Sequence, residues 1–600
     1  MPASTPITAD RLAALRAEIA AQGLDGMILT TADAFQNEDP PPQGRAIEWL
    51  TGFTGSLAHA LILRESAVFL VDGRYGIQAT QELDTNVWQI GHLLQKPLAQ
   101  WLRAMGARIG YDPMCWTVAQ CDLLRKEARS IVLTPLHDPL AGLWSDRPPP
   151  PLSPIRLMPE AESGRSAADK LHWLHEQMAM LGADVWIETR PDNIAWLFNI
   201  RGADVPMNPL ALSFAIIARN QPALWFIDAA KLTQPVPEGV QPLTYDAFLP
   251  RLAALGAGQI AAFDPAFTPD AVATALHAGG SLGLQRPGLI TIEKSRKTPA
   301  ELGGFRRAHL ADAVALARFG AWLEQTVVQR DRLGRPLSET EAAQVLEGFR
   351  KTSNSYLEPS FTTIAAVGEN AALCHYHPPE QGSGLLRKEG IFLCDSGGQY
   401  LCGTTDVTRT FAFAPVAPER RRIATAVLRG FIALHDARFP NGTMPHQLDA
   451  LARLPLWALG LDYDHGTGHD VGHNLLIHEH PHRIGKAANP FPLAAGHVIT
   501  LEPGYYAEGD WGIRIENQVE VVQDEGGYLR FDALTLAPID LTLFDLATLG
   551  QTEKDWIDRY HARVRAEIAP LLEAEVAQWL ILATRAIALY LSDESSLPAN

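Results

Sequence analysis

The chain has 600 residues, more than the roughly 250–300 at which one hydrophobic core stops growing, so several domains are expected. At 47% hydrophobic and 20% charged, with 43 Pro and 47 Gly, its usage is globular, which excludes a disordered or fibrous chain. Fifty basic against 68 acidic residues leave a net charge of -18, which argues against nucleic acid or an anionic membrane surface as a partner.

A helical pattern runs from Asp10 to Gln22, followed by the apolar strand candidates GMIL, AHALIL and AVFLVDGRY. No export signal is expected, because Asp10, Arg11, Arg16 and Glu18 interrupt any apolar run. From Ser166 the order recurs: a helix KLHWLHEQMAMLGAD, a strand VWIET, the tryptophan-bearing NIAWLFNIRG, then FAIIA and ALWFID. Gly23-Leu24-Asp25 matches Gly182-Ala183-Asp184, Trp49-Leu50 matches Trp196-Leu197, and Val71-Asp72 matches Ile227-Asp228. Repetition at one domain length, far beyond solenoid periods of roughly 20–50 residues, predicts two related α/β domains in tandem, 1–150 and 155–296. The proline run between Arg147 and Pro154 predicts a stiff linker joining them.

Thr298-Pro299-Ala300-Glu301 reads as an N-cap, a proline at the first helical position and a capping-box glutamate. It opens a long helix to about Gln329 and a third domain, 297–600. There, helices expected at about 339–352, 419–438 and 445–459 alternate with strand candidates IFLCDSG, LCGTTDVTRTFAF, GHVITLEPGYY and GIRIENQVEVV. The apolar stretch from Trp579 to Leu591 is broken by Arg585 and falls short of the roughly 18–20 residues that span a bilayer. Five cysteines, without a C-x-x-C pair, encode neither a disulfide framework nor a zinc knuckle. The expectation is a cytoplasmic protein with no membrane partner.

Ten of the 19 histidines fall between His375 and His482, which is where chemistry is sought. Asp395 ends IFLCD and Asp406 follows eleven residues on; a hairpin turning at Gly397-Gly398 would set the two carboxylates side by side. Two carboxylates in an apolar neighbourhood repel and need cations. His465 and His469 flank Gly-Thr-Gly, which favours strand or irregular backbone over a helix face. Glu502 follows the strand HVIT, and Glu516 lies within the alternating GIRIENQVEVV. Taken singly, each is as well explained as a solvated strand-edge or turn residue. Together, four carboxylates and an imidazole suit two divalent ions such as Mn(II) better than a thiolate zinc site.

The ordered set CHYHP, CDSGGQYLCGTTDVTRT, DHGTGHDVGHNLLIHEHP, LEPGYY and GIRIENQVEVV resembles the catalytic domain of aminopeptidase P, the Xaa-Pro aminopeptidase family of the pita-bread metallopeptidases. The resemblance covers nearly the whole chain and is to the three-domain cytosolic form, through the duplicated front domains and the C-terminal WIDRYHARVR. It implies an α/β and α+β multidomain fold: two tandem related α/β N-terminal domains, the first creatinase-like, plus a C-terminal pita-bread (creatinase/aminopeptidase-like) catalytic domain. It implies two divalent metal ions, with Mn(2+) expected, held by Asp395, Asp406, His469, Glu502 and Glu516. His375, His465 and His478 match the family's histidines around the metals, and Arg514 its arginine at the site edge. These four are the implied substrate-binding groups; the three histidines and Glu502 are the implied catalytic ones. The implied reaction is hydrolysis of the bond between an N-terminal residue and a following proline by a hydroxide held between the metals, and the implied assembly is a homodimer. Two alternatives share the fold, a prolidase-like dipeptidase and a catalytically inactive binding protein. Asp470, His473 and His480 depart from the family's usual residues while leaving the ligand spacing intact.

His478-Glu479-His480-Pro481-His482 literally satisfies the zinc-protease pattern H-E-x-x-H. That pattern needs both histidines on one helix face, and a proline inside the turn costs ~3 kcal/mol or more, so the zinc-protease reading is rejected. His482 is expected to bind no metal and to be replaceable at little cost. Cys374, Cys394 and Cys402 are expected to be small buried apolar residues.

Overall fold

The computed structural model describes residues 6–103 and 105–594; the ends of the expected segments at 1–5 and 595–600 lie outside the described residues. The chain divides into two compact units, Met1–Lys294 and Ser295–Asn600.

The first unit holds two six-stranded mixed sheets of the same order. One runs Trp88–His92, Ala67–Val71, Ala58–Leu63, Gly26–Thr30, Arg108–Tyr111 and Val132–Pro135. The other runs Val240–Leu243, Ala223–Phe226, Phe214–Ala218, Val185–Glu188, Ile260–Phe263 and Leu282–Gln285. Parallel and antiparallel pairings match strand for strand. Gly26–Thr30, Ala67–Val71 and Val185–Glu188 are buried at every position, which is why they read as continuous apolar runs. The sequence matches coincide with equivalent joints. Gly23 and Gly182 both take a left-handed φ where the leading helix ends. Asp25 Oδ2 then accepts from Arg108 N as Asp184 Oδ2 accepts from Ile260 N, tying the first strand of each sheet to its parallel neighbour.

The second unit begins with the helix Pro299–Arg332, closed at its start by the reciprocal hydrogen bonds of Thr298 and Glu301. The helices Glu339–Arg350, Pro418–His435 and Asp449–Trp457 follow. They accompany a three-stranded antiparallel sheet, Ile364–Val367, Ile391–Ser396 and Val407–Ala412. A six-stranded sheet contains Gly468–Asp470, Glu479–Ile484, Val498–Leu501 and Asn517–Gln523, and the helix Gln551–Ile568 closes its apolar core through Trp556, Ile557 and Val564. Among the described residues, no helix is long and apolar enough to cross a membrane.

Candidate metal centre

Asp395, on the central strand of the three-stranded sheet, pairs with Thr408 on the edge strand Val407–Ala412, and Asp406 immediately precedes that edge strand. The expected hairpin turn is corrected. The chain runs on through Gly397-Gly398 and reverses at Leu401-Cys402, between paired Tyr400 and Gly403. Gly397 serves close packing instead: a Cβ there would lie 1.9 Å from the Thr405 carbonyl oxygen. His469 is the middle residue of Gly468–Asp470, and Glu502 follows Val498–Leu501 directly. Glu516 also differs from expectation. It sits between the strands Trp511–Arg514 and Asn517–Gln523, and every residue from Trp511 to Val521 is buried, so the alternating pattern marks no solvated face.

These elements bring the five side chains together. Asp406, His469 and Glu516 each offer a ligand atom within 4.8 Å of the others. His469 Nε2 stands 3.5 Å from Asp406 Oδ2 and 3.6 Å from Glu502 Oε1. His469 Nδ1 lies 2.9 Å from the Asp470 carbonyl, an acceptor that suits the tautomer with its proton on Nδ1 and Nε2 as the metal-binding nitrogen. The Thr408 hydroxyl donates to Glu516 Oε2 at 2.9 Å. Burial, then the neighbouring carboxylates, push Asp406 and Glu516 well above the ordinary carboxyl range. Burial and Asp395 push Glu502 up to about 7 against the opposing pull of Arg514. Asp395 Oδ1 is buried and has no hydrogen-bond partner among the described residues. Four carboxylates, three of them buried and Glu502 partly exposed, gather around the Arg514 guanidinium with an acceptor left over, a donor set short of positive charge.

Arg514 is not at the edge. It is only 3% exposed, donating through Nε at 3.1 Å and Nη2 at 2.5 Å to Asp395 Oδ2. Its Nη1 donates to the Tyr506 hydroxyl, which lies 2.8 Å from His465 Nε2, while His465 Nδ1 meets the Gly466 carbonyl at 2.7 Å. His478 packs edge-on against His469 with ring centres 4.5 Å apart, and His375 stacks 6.4 Å from His478.

The sequence reading missed Tyr506 and Thr408, and also Arg453. Arg453 is fully buried; it is held by Asp449 at 2.7 Å and donates to the carbonyls of Tyr463 and His465 at 2.6 and 3.0 Å, clamping the loop that carries His465. No local periodicity marks these residues; their partners are set by the fold.

The HEHPH segment is strand from Glu479 to Ile484, so its histidines share no helix face. His482 is nevertheless not incidental: its main-chain N–H and Nδ1 each lie 2.8 Å from Asp470 Oδ2, both residues being buried. Cys374, Cys394 and Cys402 are buried thiols.

The Metallopeptidase family M24 pattern matches residues 303–523, and the C-terminal region of peptidase M24 matches 527–587. The Creatinase/Prolidase N-terminal domain matches twice, at 11–143 and 146–301. Fold and site together define an M24 metallopeptidase preceded by two creatinase-type domains.

The chain is 35% identical to a probable Xaa-Pro aminopeptidase P of Laccaria bicolor, over 96% of this chain and 92% of that one. It is 33% identical to Aminopeptidase P1 of Arabidopsis thaliana, over 96% and 99%. It superposes with a TM-score of 0.90 on the crystal structure of X-prolyl aminopeptidase from Caenorhabditis elegans, described as a cytosolic enzyme with a di-nuclear active site. That match is 32% identical and covers 96% of this chain and 100% of the other. The chain belongs to the aminopeptidase P family of Xaa-Pro aminopeptidases.

Proposed function

We propose that this chain removes the first residue from peptides whose second residue is proline, using two divalent metal ions held by Asp395, Asp406, His469, Glu502 and Glu516. The observation that carries the reading is the convergence of these side chains with too little positive charge and a buried, unpartnered Asp395 Oδ1. When bound, the two ions supply a hydroxide nucleophile at neutral pH and polarise the scissile carbonyl. An Xaa-Pro bond is a tertiary amide without an N–H, so a pocket built for it cannot rely on gripping that proton.

Each protein group then has a task. Asp406 and Glu516 would hold the ions together with His469, and Thr408 fixes the Glu516 carboxylate. Arg514 holds Asp395 in place, beside the position that receives the substrate's free amine. Glu502, whose Oε1 lies 3.6 Å from His469 Nε2, would accept the proton of the nucleophile. His375 donates to the oxyanion, while His465, set by Tyr506, and His478 hold the proline and the following backbone.

The oxygen-rich set favours Mn(II). A homodimer in the cytoplasm and a division into 1–150, 155–296 and 297–600 complete this reading. The compartment is supported by the description of the Caenorhabditis elegans enzyme, the division by the repeated sheet order.

Asp406→Asn tests the assignment. The amide supplies neither the charge nor the second anionic oxygen of the carboxylate, so metal content should fall from two ions per chain and peptide hydrolysis should drop by at least about 1000-fold. Near-normal metal content and turnover in that variant would contradict the dinuclear assignment.

A further inference from the structure

The duplication in the first unit provides an internal control. In both sheets the fifth strand in chain order ends in Asp-Pro: Asp112-Pro113 after Arg108–Tyr111, and Asp264-Pro265 after Ile260–Phe263. Each aspartate accepts from the main-chain N–H two residues on, Met114 at 2.9 Å and Ala266 at 3.0 Å. The second oxygen of Asp264 accepts from Gly288 N at 2.8 Å. The second oxygen of Asp112 has no hydrogen-bond partner among the described residues, and Asp112 lines a cavity of about 350 Å³.

The location of that cavity is informative. Gly26–Thr30 lies between Ala58–Leu63 on one side and Arg108–Tyr111 on the other, so the strand order reverses at this point. Thr30, Asp112 and His137, at or just beyond the carboxyl ends of three mutually parallel strands, line the cavity. Open α/β sheets bind ligands at that corner. In the second sheet the same corner is filled from within: Arg190 forks onto Asp192 and lies 4.2 Å over the Phe267 ring, and Lys294 pairs with the same aspartate.

The lining selects a chemistry. It is predominantly apolar, with an aromatic wall in which Phe35 stacks on Phe214 at 4.6 Å. Its two buried or half-buried cations are committed, Arg147 to Asp138 at 2.7 Å and Lys231 to Asp204 at 2.6 Å. Asp33 is satisfied by Phe35 N and by Asn37. An anionic ligand would meet only excess carboxylate. A cation of suitable size would meet an open carboxylate oxygen and aromatic faces.

We propose that the first unit carries a second binding site, at the switch point of its first sheet, for a small amphipathic amine whose apolar body lies against Phe35 and Phe214 and whose ammonium group pairs with Asp112. Calorimetric titration of the full-length protein with 2-phenylethylamine, 2-phenylethanol and 3-phenylpropionate tests it. The amine should bind saturably, at least about tenfold more tightly than the alcohol or the acid. Asp112→Asn should bring amine affinity down to that of the alcohol. Ala34→Phe, which fills the cavity, should abolish binding of both while peptide hydrolysis is unchanged, which separates this site from the metal centre. Absence of saturable binding, equal affinity for the three probes, or an amine preference that survives both substitutions would overturn the proposal.

Discussion

Asp470 follows His469 directly, at a point where the register with the neighbouring strand shifts, and its carboxylate is taken up by His482. There it receives two hydrogen bonds from His482, whose Nε2 lies 3.2 Å from the Pro492 carbonyl, so both ring nitrogens face acceptors. Removing one partner of a buried pair strands the other charge without solvent. His482→Ala should therefore cost about 3–5 kcal/mol in urea unfolding, while the expectation of a near-neutral effect on metal content and turnover stands beside it untouched. A loss below about 1 kcal/mol would show that the pair contributes little. The contrast with Asp406 is one of environment. Both are buried aspartates one residue from a strand or on it, but Asp406 faces other carboxylates and Asp470 faces an imidazole.

At the scale of elements, the proposed ligands sit at strand ends or in very short strands, where the backbone is fixed by pairing but the side chains converge from several directions. The close approach of Gly468–Asp470 and Val498–Leu501 illustrates how tightly this is set. A Cβ on Gly468 would lie 1.9 Å from the Thr500 carbonyl oxygen. Gly468→Ala must push the strand carrying His469 away from the one leading to Glu502, whose ligand atoms are 3.6 Å apart. Metal content measured on this variant should fall sharply and hydrolysis should drop by about 100-fold or more; full metal occupancy would contradict this view of the strand pair. Much at this scale was legible: the capping box of Thr298, the duplicated joints at Gly23 and Gly182, and the strand positions of Asp395 and Glu502 all follow from local sequence. The turn after Asp395 was not, because glycines that allow close backbone approach resemble glycines that allow a turn. Arg514 was misplaced for a related reason. Its partner Asp395 is 119 residues away, and nothing in the neighbouring residues reports which side of the site it occupies.

For the molecule as a whole, buried histidines tie stability to pH. His561, fully buried, accepts from Ile539 N at 3.1 Å, and burial followed by Arg409 and Arg565 lowers it from the ordinary 6.5 to about 3. The unfolded chain takes up the proton below 6.5 and the folded one does not, so its contribution is complete above 6.5 and is lost as pH falls toward 3. Between pH 7 and 5 the wild-type protein should lose about 2 kcal/mol more than His561→Gln in urea unfolding, and parallel losses would refute this linkage. The largest claim is that two creatinase-type domains and one metal-binding unit together make a proline-specific exopeptidase. The direct measurement is release of the free first residue from Ala-Pro-Phe, compared with Ala-Ala-Phe and the dipeptide Ala-Pro, by the Mn(II)-loaded protein. Release should be rapid from Ala-Pro-Phe and at least about 100-fold slower from Ala-Ala-Phe, and chelation should abolish activity. Equal rates on the two tripeptides, or cleavage confined to the dipeptide, would contradict that claim.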